Sequence, residues 1–315
     1  MMRAAAFWNQ HFPNQSIILL DGGLATELEQ RGYDISGALW SARLLQDAPE
    51  SIRCLHYDYL QAGANVITTA SYQASFPGFE QQGIPADTAR ELMKESVRLA
   101  RQARERFLAR HPHITYTPLI AASAGPYGAY LADGSEYMGD YLLSSQALKA
   151  FHQPRLEALL AAQPDLIAFE TIPSRQEAQA IAELLAAYPK ALAWVSFSCK
   201  DGRHISDGER IADCVKDIAG CRQLVAVGVN CTPPEFMESL IQEIKQATEI
   251  PIVVYPNSGE GWDAQRACWL PATSSGSLTE MAVRWKTAGA RLIGGCCRTG
   301  VGDIERLRKK LLPSI

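Results

Sequence analysis

The chain has 315 residues, with 30 Lys and Arg against 34 Asp and Glu, a net charge of −4, and 47% hydrophobic and 20% charged residues. This is the composition of a folded chain with a large core; it excludes wholesale disorder, and its slight acidity excludes a basic field for nucleic acid. Its 8 cysteines are too sparse for a disulfide scaffold.

The N-terminal stretch, Met1 to Gln15, lacks the apolar core of a signal peptide. The longest uncharged stretch, 114–132, is broken by Pro118, Gly125, Pro126 and Gly128, so no membrane span is expected. A cytoplasmic protein with reduced thiols is expected.

Short apolar runs recur at 17–20, 65–70, 118–123, 166–170, 192–199, 224–231, 251–257 and 292–297. They are nearly continuous rather than alternating, as strands covered on both faces are. Helical patterns separate them at 87–110, 139–162, 174–188, 233–247, 277–288 and 303–312, with a weaker one at 207–219. This alternation predicts a parallel sheet closed into a single (β/α)8 TIM barrel, one domain over 1–315. An open doubly wound sheet is the competing architecture. The turn after the first strand, Asp21-Gly22-Gly23-Leu24, lacks that fold's Gly-rich phosphate fingerprint. The segments 26–48, 125–140 and 257–276 read as long loops.

Barrel enzymes work at the carboxyl ends of their strands. That rim carries Asp21-Gly22-Gly23, Thr68 to Tyr72, Ser123, Glu170-Thr171, Cys199, Asn230-Cys231, Asn257-Ser258 and Gly294-Gly295-Cys296-Cys297. Cys231 and Cys296 are far apart in the chain but end the sixth and eighth strands. Cys297 can join them if the strand bends, which Gly294-Gly295 allows. Three thiolates with an open fourth position form a catalytic zinc pattern; the plainer reading is buried apolar cysteines. Zinc with three thiolates carries a charge of about −1, a poor acid for water but a good holder of a fourth sulfur, whose proton it displaces. The chemistry this suits is alkyl transfer to a substrate thiol. Cys54, Cys199, Cys214, Cys221 and Cys268 read as structural.

Asp21 and Glu170 end strands on the same rim. Two carboxylates suit an α-ammonium group, and the N–H groups near Gly22 and Gly23 suit a carboxylate, so an amino-acid substrate fits. The plainer readings are a helix N-cap for Asp21 and a buried pair with Lys or Arg for Glu170. Trp40, Tyr72, Phe76, Tyr127 and Tyr130 lie near these loops, as faces for a sulfonium cation or as packing. His56, in an amphipathic segment, reads as surface or core.

Several motifs then occur in order: Asp21-Gly22-Gly23 with Thr26-Glu27-Leu28, Ala70-Ser71-Tyr72-Gln73-Ala74, the run 125–137, Gly228-Val229-Asn230-Cys231, Tyr255-Pro256-Asn257-Ser258-Gly259-Glu260, and Gly294-Gly295-Cys296-Cys297. Together they resemble the zinc-dependent homocysteine S-methyltransferases over nearly the whole chain. The resemblance implies a (β/α)8 barrel with Zn²⁺ on Cys231, Cys296 and Cys297. It implies homocysteine held through its amino group by Asp21 and Glu170, with main-chain groups near Gly22 and Gly23 at its carboxylate. Tyr72, Thr171 and Asn230 complete the expected substrate contacts. The implied reaction is methyl transfer from S-methylmethionine, with S-adenosylmethionine as an alternative donor, giving methionine. A monomer without nucleic-acid or membrane partners is expected.

Betaine-dependent relatives carry a Tyr where this chain has Thr171, and extend further beyond the last helix. Cobalamin-dependent relatives carry additional modules. Both are disfavoured. From other classes, a barrel lyase or aldolase needs a strand-end Lys, and only Lys200 stands near one. A non-catalytic zinc and amino-acid binding protein would share the site without turnover.

Overall fold

The computed structural model describes residues 2–35, 39, 42–263, 268–270 and 277–312. Its strands are β1 (Ile18–Leu19), β2 (Val66–Thr68), β3 (Leu119–Ala124), β4 (Leu166–Ile172), β5 (Ala193–Phe197), β6 (Leu224–Asn230), β7 (Ile252–Tyr255), β8 (Gly261–Asp263), β9 (Cys268–Leu270) and β10 (Ala290–Ile293). Eight of them pair side by side in the order β1-β10-β7-β6-β5-β4-β3-β2. A parallel bridge between Leu20 and Val66 brings β2 back to β1, so the sheet curls into the expected barrel.

The pleat sorts the side chains by period two. Ile18, Leu20, Val66, Ala121, Ala168, Trp194, Val253 and Leu292 pack together inside the barrel. Leu19, Ile67, Ile120, Ile167, Val195, Val227, Val254 and Ile293 pack outward beneath the helices. Burial on both faces is why these strands read as unbroken apolar runs.

The surrounding helices include Ala86–Arg110, Arg175–Ala186, Met237–Ala247, Leu278–Ala288 and Val301–Leu311, close to the expected ranges. The helix expected over 139–162 begins later, as Ser145–Ala161. Gly139 takes φ 72°, and the Ser144 hydroxyl caps the Ala147 N–H at 3.2 Å, so the true start lies past the glycine. The pattern at 207–219 shortens to Ile211–Ile218.

The two longest helices outside the expected patterns are Pro49–Ala62 and Met2–His11. Pro49–Ala62 buries His56 and ends on Gly63 in the left-handed conformation. Met2–His11 closes the bottom of the barrel, where the fully buried Trp8 donates its indole N–H to Val225 O at 2.7 Å. The loop expected over 257–276 contains the antiparallel pair β8 and β9. Trp40 and the Cys268 side chain lie outside the described residues. Among the described residues, no helix is long and apolar enough to cross a membrane.

Candidate active site

The carboxyl ends of the strands open into one cleft. Asp21, Gly22, Gly23, Tyr72, Glu170, Thr171, Asn230, Cys231, Cys296 and Cys297 all line it. Residues spread over five strand ends therefore share a single space.

The Sγ atoms of Cys231, Cys296 and Cys297 lie within 4.8 Å of one another, and those of Cys231 and Cys297 are 3.4 Å apart. Two irregularities gather them. Cys231 takes φ 48°, which turns it off the β6 ladder. Cys296 and Cys297 follow the end of β10 in a turn pinned by Cys296 N donating to Pro256 O at 2.7 Å and Gly295 N donating to Asp21 O at 3.1 Å. Tetrahedral zinc with sulfurs at about 2.3 Å spaces them about 3.8 Å apart, so the trio fits such an ion with only small shifts. Soft thiolate donors also select against calcium and magnesium.

The thiols do not behave alike. Hydrogen bonds to Cys231 and Cys297, with burial, push Cys296 well above the usual thiol range. Hydrogen bonds from Cys231 and then Cys296 hold Cys297 well below it. Cys199, though at a strand end, is buried outside the trio, with its N–H on Thr232 Oγ1 at 3.0 Å.

Asp21 accepts from Thr68 N at 2.7 Å and from the Thr68 hydroxyl at 3.1 Å. It is not a helix cap: the N-cap of the following helix, Leu24–Gln30, is Gly23. Burial pushes the Asp21 carboxyl up to about 8, against the pull of the Thr68 hydrogen bonds. Glu170 accepts from the Ser123 hydroxyl, and burial raises it to about 7. No Lys or Arg is among the described residues lining the cleft, so both carboxyls lack a cationic partner there.

The glycines serve close approach. A Cβ on Gly23 would sit 2.5 Å from Cys296 O, and one on Gly22 would sit 2.9 Å from Thr299 O. Gly23 N–H donates to Thr299 O at 2.8 Å, so this group is committed within the protein rather than open to a ligand carboxylate. The neighbouring residues Leu24, Ala25 and Thr26 form the helix's first turn, whose N–H groups have no partner within the helix, and they too line the cleft.

Tyr72 reaches the cleft through a buried brace. The Arg155 guanidinium, 2% exposed, donates to Tyr72 O at 2.9 Å and to Gly125 O at 2.7 Å, tying two rim loops together. Tyr127 meets Tyr130 and Phe151 edge-on, Tyr130 leans against Phe151, and Phe76 lies under Arg90; these rings are packing, not cleft wall. The site also includes residues to which the sequence reading gave no role. Thr68 and Ser123 hold the carboxylates, Tyr255 backs Glu170, and the Tyr137 hydroxyl lies 3.0 Å from Cys231 Sγ. Thr68 and Ser123 sit at strand ends, the one signal that pointed to them.

A family model described as homocysteine S-methyltransferase matches residues 18–311. The homocysteine S-methyltransferase of Escherichia coli (strain K12) is 50% identical over 297 residues, spanning 94% of this chain and 96% of that protein. The homocysteine S-methyltransferase YbgG of Bacillus subtilis (strain 168) is 48% identical over 293 residues, spanning 92% and 93%. The crystal structure of the metallated form of the Escherichia coli homocysteine methyltransferase MmuM superposes with a TM-score of 0.87 at 48% identity, over 96% of this chain and 98% of that one.

Proposed function

Because the chain belongs to the homocysteine S-methyltransferase family, we propose that it moves a methyl group from S-methylmethionine to homocysteine, with zinc on Cys231, Cys296 and Cys297. The observation that carries this reading is the meeting of three thiols at the mouth of the barrel, beside two buried carboxyls with no cationic partner among the described residues of the cleft. Zinc bound there would keep the homocysteine sulfur as a thiolate at neutral pH.

The protein's own groups do the rest. Asp21 and Glu170, ionised, grip the homocysteine ammonium. The N–H groups at Gly22 and the first turn of the helix Leu24–Gln30 take its carboxylate. Tyr72 and Thr171 form the wall, and holding both reactants in line supplies much of the rate. The homocysteine sulfur attacks the methyl carbon, and the electron pair of the breaking C–S bond neutralises the sulfonium. Both products are then methionine. A cleft with two carboxyls and no Lys or Arg among the described residues that line it favours a cationic donor, and the Tyr72 and Tyr137 rings add to that preference. In this reading the chain works as a single cytoplasmic barrel domain, as a monomer.

The test is a methyl-transfer assay with homocysteine against S-methylmethionine, S-adenosylmethionine and betaine, with methionine measured by mass spectrometry and zinc in the same sample. S-methylmethionine is expected to be the best donor, S-adenosylmethionine a poorer one, and betaine inactive. No methionine from S-methylmethionine would reject the donor assignment.

A further inference from the structure

Strand β4 breaks its pleat at the rim. Leu166 and Ala168 face the barrel interior, while Ile167 and Phe169 face the helices. Strict alternation would send Thr171 outward and Ile172 inward. Instead Ile172 packs in the outer layer, and Glu170 and Thr171 both line the cleft. The register against β5 shifts at this point: Phe169 pairs with Val195, but Ile172 pairs with Phe197. One extra residue has entered β4, a bulge of the kind that re-aims side chains. It turns on Thr171, whose φ of 61° is a conformation that β-branched residues rarely take.

Asn230, at the end of β6, holds Thr171 there. Its Oδ1 accepts from Thr171 N at 2.7 Å, and its Nδ2 donates to Thr171 Oγ1 at 2.7 Å. The Ser196 hydroxyl donates to the same Oδ1 at 2.8 Å and so fixes which way the amide faces. Asn230 is 1% exposed, and both ends of its amide are spent on protein.

We propose that Asn230 is a positioning residue. Its amide clamps Thr171 in the left-handed conformation, and the resulting bulge aims Glu170 into the cleft. This rests on the reading of Glu170 as a holder of the homocysteine ammonium, and it moves Asn230 from a substrate contact to the strut behind one.

A double-mutant cycle of Asn230→Ala and Thr171→Gly tests the clamp, read by urea unfolding and by homocysteine kinetics. Glycine takes positive φ without steric cost, so the bulge in Thr171→Gly no longer needs the clamp. Asn230→Ala alone is expected to raise KM for homocysteine roughly tenfold and to lower the urea midpoint. Its kcat should stay within about threefold of the wild type, because ammonium placement affects binding more than chemistry. In the Thr171→Gly background the same change should fall to about twofold or less in KM, with little further loss of stability. Equal effects of Asn230→Ala in both backgrounds would overturn the proposal, since the amide would then act on substrate or fold directly. If Asn230→Ala does not fold, Asn230→Asp, which keeps the Oδ1 acceptor and loses the Nδ2 donor, enters the same cycle. Coupling in unfolding without any coupling in KM would uphold the clamp and reject Glu170 as its beneficiary. A wild-type protein that does not methylate homocysteine would reject the functional reading, while the unfolding arm still decides the clamp.

Discussion

The sulfurs of Cys231 and Cys297 lie 3.4 Å apart across 66 positions of chain. β6 and β10 flank β7 in the parallel sheet, which sets the end of β6 beside the turn after β10, so the pair belongs to the fold and not to a local motif. Replacing Cys231, Cys296 or Cys297 by Ser is expected to remove bound zinc and lower methyl transfer by more than about a hundredfold. Metal analysis and turnover on the same samples check this, with circular dichroism confirming a folded barrel. A Ser variant that keeps both zinc and turnover contradicts the ligand set.

The same proximity makes the metal-free protein sensitive to oxidation. Cys297, held low by its hydrogen bonds, supplies the thiolate, and the Cys231 sulfur is its near neighbour. Chelator-treated protein exposed to a mild oxidant should gain a Cys231–Cys297 disulfide and lose activity until reduced. Zinc-loaded protein should resist. Peptide mapping decides; equal oxidation with and without zinc counts against a metal shared by these sulfurs.

The two carboxyls give a pH dependence of defined sign. Asp21 is raised from 3.8 to about 8 and Glu170 from 4.5 to about 7, both chiefly by burial. Between these values the empty folded protein holds protons that the unfolded chain has lost. The stability this contributes is complete below about pH 4 and disappears as pH rises through 7 and then 8. Urea unfolding of ligand-free protein should therefore weaken across that window, less so in Glu170→Gln. An ammonium prefers both carboxylates ionised, so KM for homocysteine should fall as pH rises through about 7 in the wild type. The Glu170→Gln variant should lose that part of the profile, with KM roughly tenfold higher above it. Identical profiles for the two proteins would rule out Glu170 as an ammonium holder.

Gly23 is predicted to tolerate no side chain. A Cβ there meets the Cys296 carbonyl at 2.5 Å, a backbone atom that cannot swing away. Gly23→Ala should cost about 1–3 kcal/mol of stability and loosen metal retention by displacing the turn that carries Cys296. Gly220→Ala, where a Cβ meets nothing within 4 Å, should be neutral to within about 0.5 kcal/mol. Chelator competition and urea midpoints measure both; retention unchanged in Gly23→Ala breaks the link between this glycine and the thiols.

What the sequence disclosed follows from where the physics is local. The barrel strands were readable because burial on both faces leaves continuous apolar runs, and the thiols because a barrel turns distant strand ends into neighbours. The backbone conformations that make the site were not readable. Thr171 and Cys231 take positive φ with no glycine to announce it, and the Asn230 amide that holds Thr171 acts across 59 positions. Tyr137 reaches Cys231 across 94 positions. Gly23 looked open to a ligand because its acceptor, Thr299 O, comes from the far end of the chain. The helix Met2–His11 escaped for the same reason, since its anchor Trp8 docks on Val225, 217 residues away.

The most direct test is X-ray absorption at the zinc edge, on protein with and without saturating homocysteine. Zinc in the resting protein is expected to show three sulfur neighbours, from Cys231, Cys296 and Cys297, and a fourth when homocysteine binds. An unchanged sulfur count with homocysteine bound, or full methyl transfer by protein stripped of zinc, would contradict this.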